Sequence, residues 1–180
     1  MHIVEPIREI QKIEQVKALL LENRERDFVL FELGINTGLR ISDILKLKVS
    51  DVRNKKYIKV VEKKTKKSRM IIITPKMENI LQNYTKDKDL TEYLFPSRKG
   101  GNPITRVQAY RILNSVCRLL EIQHIGTHSL RKTFGYHLYN KTKDVVLIQS
   151  ILNHSSPKIT LRYIGVTQDI IDKNMMSFSL

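Results

Sequence analysis

One cysteine, Cys117, stands among the 180 residues, and tryptophan is absent. A lone thiol excludes an internal disulfide and agrees with a reducing compartment. It also argues against structural zinc, because Cys117, His124 and His128 match no standard finger spacing. No clustered Asp/Glu set suggests Mg²⁺, so neither a metal nor another cofactor is expected. Uninterrupted apolar runs stop at four residues, as in residues 70–73 and 145–148. A membrane-spanning helix needs roughly 20 such residues. Residues 1–6 carry no apolar signal core, and the cytoplasm is the expected location. Seven glycines and five prolines form no linker-like tract, and no repeat of 20–50 residues appears.

Negative charge is scarce too. Thirty-two Lys and Arg face eighteen Asp and Glu, for a net charge of +14. Such a field draws polyanions and supplies nucleic-acid affinity through counterion release. Charge alone leaves solubility, or a coding bias toward Lys, as a competing explanation.

The apolar pattern predicts an α+β chain, mostly helical, with a small antiparallel sheet. Ile10, Ile13, Val16, Leu20 and Leu21 make a helical stripe over residues 9–23. Phe28, Leu30, Phe31 and Ile35 continue it over 27–37, and Gly38 is a natural stop. Ser42 is the expected N-cap of a short helix through Lys48. Residues 57–62 and 69–74 are β-rich runs around a basic tip, which reads as a hairpin. Pro75 opens a helix to about Lys86, and residues 100–103 form a loop. Helices follow from near Thr105, over 129–140 and 144–153, with shorter ones at 160–164 and 168–178.

Within this frame, His128 and Arg131 are three apart on one helix and can address one target. Arg131 falls on the side of Leu130, Phe134 and Leu138, where its charge needs a partner: an internal carboxylate or a bound phosphate. Arg40 precedes a helix start, where the dipole disfavours a cation, so it either pairs with Asp43 or points at an anion. A guanidinium is the planar, permanently charged fork suited to phosphate. The hairpin lysines are either a solvated turn or a basic finger beside that clamp, with Lys64 singled out. His154 can be a helix-ending side chain, and Tyr163 can be core. As a nucleophile, a phenol of pKa near 10 needs activation by a neighbouring cation or base.

Taken in order, Arg40 (in Thr37-Gly38-Leu39-Arg40-Ile41-Ser42-Asp43), Lys64, His128 with Arg131, His154 (in Leu152-Asn153-His154-Ser155) and Tyr163 resemble the signature of the tyrosine recombinase (phage integrase) family. The resemblance covers essentially the whole chain. It implies a catalytic domain over residues 1–180, with no separate N-terminal DNA-clamping domain, and site-specific recombination through a 3′-phosphotyrosyl intermediate. Tyr163 would attack, Arg40 and Arg131 would hold the phosphate, and Lys64 would protonate the leaving oxygen. His128 would assist proton transfer, His154 would hydrogen-bond the phosphate, and Asp43 would orient Arg40. Lys63, Lys66, Lys67, Arg69 and Lys132 would contact DNA. The partners implied are double-stranded DNA, a homotetramer assembled on it and accessory DNA-bending proteins. A non-catalytic accessory or regulatory protein of the same fold, and a relaxing topoisomerase, stay as alternatives. The tail, with Ile170, Ile171, Met175 and Phe178, packs either on its own domain or on a neighbouring protomer.

Overall fold

The computed structural model describes residues 4–61, 68–98 and 100–178. Helices α1 (Ile10–Asn23) and α2 (Glu25–Thr37) meet at Arg24, whose extended backbone turns the chain between them. Val29, Leu30, Phe31 and Leu33 of α2 are fully buried. Each such side chain contributes about 1.5–3 kcal/mol on leaving water, which makes α2 the axis of the core. Gly34 sits where α2 meets a later helix. A Cβ there would lie 2.5 Å from Leu130 Cδ1, so the close approach requires its absence. Helix α2 ends as the sequence suggests, with Gly38 in the left-handed region at φ 62.

The next turn departs from expectation. The short helix α3 (Ile41–Ile44) is capped by Arg40 rather than Ser42, and it stops before a 3₁₀ turn at Val49–Asp51. Ile41, Ile44, Leu45 and Leu47 are all buried, and their anchoring sets the chain's course ahead of any capping preference. Strands β1 (Tyr57–Val61) and β2 (Ser68–Ile72) then pair antiparallel, Tyr57 opposite Ile72 and Val61 opposite Ser68.

Helices α4 (Pro75–Thr85) and α5 (Arg106–Leu119) begin at Thr74 and Thr105, each accepting a bond from the backbone N–H three residues on. Helix α6 (Thr127–Thr142) lies against α2 and α5. It also begins a second, smaller apolar cluster with α7 (Val145–Leu152) and α8 (Pro157–Ile164), centred on Ile148, Leu152 and Ile164. Gly135 allows α8 to close on α6, since a Cβ there would meet Ile164 Cγ2 at 2.7 Å. Helix α9 (Val166–Met176) follows the left-handed Gly165 and leaves Ile170, Ile171, Met175 and Met176 exposed.

The N-terminal segment straps the α6–α9 side. Ile7 N donates to Thr133 Oγ1 at 2.8 Å, and the Ile7 carbonyl lies 2.9 Å from His137 Nε2. Arg8 bridges Glu5 (3.0 Å) and Asp169 (3.1 Å). No helix among the described residues is long and apolar enough to cross a membrane.

Candidate active site

Arg131 lies in the second turn of α6 and is 3% exposed. Among the described residues no carboxylate pairs with it, and main-chain carbonyls supply its hydrogen bonds. Its Nη1 donates to the Gly38 carbonyl at 2.6 Å, and its Nη2 donates to the Leu152 carbonyl. These oxygens stand at the C-terminal ends of α2 and α7, where helix dipoles concentrate negative partial charge. The guanidinium thus joins the main core to the smaller cluster. Burial lowers its pKa to about 10, with Arg40 and Arg69 acting the same way and Tyr163 and Asp43 opposing. It remains protonated at neutral pH.

Tyr163, on α8, is half-buried beside this arginine. Burial raises the phenol's pKa, and the charge of Arg131, its hydrogen bond and the charge of Arg40 pull it back. The ring meets the His154 imidazole edge-on, centroids 4.8 Å apart at 72°. Lys132 Nζ stands over the same ring, 5.2 Å from its centroid.

His154 follows Asn153, the left-handed residue that ends α7. Its side chain does not cap that helix. Nδ1 lies 3.1 Å from Thr160 Oγ1, and that hydroxyl donates to the Ser156 carbonyl, also at 3.1 Å. A hydroxyl with its hydrogen directed at a carbonyl accepts from Nδ1, which leaves Nε2 as the titrating nitrogen. Partial desolvation lowers this imidazole's pKa, and Arg131 and Arg40 add to it. His128, exposed in the first turn of α6, is lowered by desolvation, then by Arg131, Lys132, Arg106 and Arg40.

Arg40 is exposed, and its charge is felt at Arg131, Tyr163, His128 and His154. No ion pair joins it to Asp43, whose attraction acts on Arg131 and whose Oδ1 lies 3.5 Å from Ser42 Oγ. The structure therefore brings Arg40, His128, Arg131, His154 and Tyr163 together, with Asp43 nearby. Lys64, Lys63, Lys66 and Lys67 lie outside the described residues. Arg69, near the turn end of β2, donates to the Ile151 carbonyl in the last turn of α7. Sequence reasoning missed Thr160 and the two helix-end carbonyls. Thr160, a hydroxyl six residues beyond an expected site histidine, was a usable signal, whereas a main-chain carbonyl carries none.

Cations from both halves of the chain thus converge on a phenol within a helical fold that carries a small hairpin. The chain belongs to the phage integrase family, whose model matches residues 9–169. It is 53% identical over 169 residues to "Probable integrase/recombinase YoeC" of Bacillus subtilis, covering 94% of this chain and 93% of that protein. Of two other curated relatives it spans only 47% and 54%. In fold it resembles the XerA recombinase crystal structure, with a TM-score of 0.76 and 22% identity over 97% of this chain and 65% of that one. It also resembles the XerH recombinase bound to palindromic difH in a post-cleavage complex, with a TM-score of 0.75 and 20% identity over 96% of this chain and 53% of the other.

Proposed function

We propose that this chain is the catalytic domain of a site-specific recombinase, which cleaves and rejoins double-stranded DNA through a covalent tyrosine link. The observation that carries the reading is the placement of Tyr163 against Arg131, with Arg40, His128 and His154 around them. In the chemical step the Tyr163 oxygen attacks a backbone phosphorus. A P–O(tyrosyl) bond forms, the bond to the 5′-oxygen breaks, and the 3′-phosphate stays on the protein. The phenol's proton passes toward His128, and the departing 5′-oxygen gains one from Lys64. Arg40 and Arg131 hold the non-bridging oxygens, where charge grows in the pentacoordinate state. Because the Arg131 fork is already fixed by two carbonyls, little reorganisation is needed as that charge develops. His154, protonated at Nε2 beside the phosphate, donates to it from that nitrogen, and Asp43 steadies Arg131.

The reverse step needs no nucleotide, because the bond energy is kept in the phosphotyrosine. Charge supports the same reading: +14 over 180 residues suits a polyanion. Assembly as a tetramer on two duplexes, with accessory DNA-bending proteins, belongs to the same proposal, as does a cytoplasmic location. Lys63, Lys66, Lys67 and Arg69 would contact the backbone from the hairpin.

The test is a nicked suicide substrate built from DNA flanking the gene. The expected result is a protein–DNA adduct that survives denaturation, is absent in Tyr163→Phe, and leaves DNA binding intact. An adduct of undiminished yield in Tyr163→Phe would remove the nucleophile.

A further inference from the structure

Adjacent residues of α6 address different parts of Tyr163. Arg131 faces the phenol oxygen, and Lys132 stands over the ring. An ammonium 5.2 Å from an aromatic centroid lies within the range of attraction to the ring's electron-rich face, and partial removal from water strengthens that attraction. Lys132 is partly buried. Its pKa is lowered chiefly by that burial and also by Arg8, while the charge of Glu5 opposes the shift. Lys132 and Tyr163 line one open cleft of about 840 Å³, together with Glu5, Arg8, Ile159 and Gly165. His154 meets the ring at 72°, so the phenol is held by an imidazole and a cation as well as by its oxygen.

A lone Lys beside a DNA-cutting site would ordinarily be taken for a phosphate contact. Here its nitrogen sits over carbon. As the phenol loses its proton and attacks, negative charge spreads into the ring, and the overlying ammonium is drawn to it more strongly than to the neutral phenol. That interaction grows along the reaction, which is what raises a rate rather than an affinity.

We propose that Lys132 is a positioning residue that holds the Tyr163 ring for attack and acts on the nucleophile rather than on DNA. The inference rests on the recombinase reading above, and its test separates the two. Adduct formation is measured at saturating suicide substrate, alongside DNA affinity and its salt dependence, for the wild-type chain, Lys132→Met and Lys132→Arg. A second substrate carries sulfur in place of the 5′-bridging oxygen, so that the leaving group needs no proton.

The expected result is a saturating rate about tenfold lower in Lys132→Met, the size of one partly desolvated cation–ring contact. Affinity and salt slope should be unchanged, and Lys132→Arg should restore the rate to within about threefold. The defect should persist on the sulfur substrate. A wild-type saturating rate with weaker, less salt-sensitive binding would overturn the proposal in favour of a DNA contact. Rescue by sulfur would overturn it in favour of leaving-group chemistry. A defect that Lys132→Arg shares, with a matching loss of thermal stability, would reduce Lys132 to packing. If the wild-type chain forms no adduct, the recombinase reading itself fails and takes this inference with it.

Discussion

Arg131 reaches across 93 positions of sequence to the Gly38 carbonyl, 2.6 Å away, and so ties the end of the central helix to the helix that carries the histidine. In the mechanism proposed above, this structural fastener is also the phosphate ligand. Replacing Arg131 by Ala should therefore be costly in two ways. Cleavage should slow by ~10²–10³, as for loss of one preorganised donor, and the melting temperature should fall because two buried carbonyls lose their partner. Arg131→Lys should recover little of either, since an ammonium has no fork to span both oxygens. Single-turnover adduct formation and thermal denaturation check the two arms.

Gly38 should tolerate no side chain. Its φ of 62 is unfavourable for other residues, and a Cβ would lie 2.5 Å from Phe134 Cδ1. The left-handed conformation alone costs roughly 1–2 kcal/mol. For a chain of this size that corresponds to a fall of about 2–8 °C in melting temperature before the ring clash is added. Gly38→Ala should show at least this loss, and Gly38→Ala with Phe134→Leu should recover the part due to the ring. Differential scanning calorimetry of the two variants is the measurement.

Both site histidines are held below the ordinary imidazole value. Folded, they bind protons less readily than when unfolded, so stability rises with pH through the window just below about 6.5 and is lost as acid is added. The melting temperature should drop between about pH 7.5 and 5.5, and His128→Gln/His154→Gln should flatten that drop. DNA should reverse the shift at His154, because a phosphate beside that imidazole favours its charged form, while His128 stays neutral and able to take the phenol's proton. Binding should accordingly take up protons, read by calorimetry in buffers of different ionisation enthalpy.

Arg40 is exposed and unpaired with Asp43, so it should contribute to DNA affinity through phosphate. Arg40→Ala should weaken binding and lower the salt slope by about one, as well as slowing cleavage. Affinities measured over a salt series decide this, with an unchanged slope counting against a phosphate contact.

Much of this architecture was legible in the residues, and the reasons differ from element to element. The stripe of Ile13, Val16 and Leu20 announced α1 because a helix buries one face. Thr105 and Asp144 begin helices where the sequence places them because their side chains accept the first free N–H groups, and Pro75 opens α4 at its first position. Arg40, His128, Arg131, His154 and Tyr163 were named from order and spacing, yet spacing could not say what neutralises Arg131. Carbonyl oxygens belong to every residue, and only the fold decides which two arrive at one guanidinium. Ser42 misled for a related reason: capping preference is worth about 1 kcal/mol, and four buried apolar residues around it outweigh that.

The salt link from Arg8 to Asp169 closes a loop of 161 positions, knotting the opening stretch of the polypeptide to the segment just past the nucleophile. Arg8 Nη2 also stands where it would lie 2.9 Å from a Cβ added at Gly165, the left-handed residue that ends the helix bearing Tyr163. A side chain introduced at Gly165 would therefore press on that link as well as on a backbone held at φ 83.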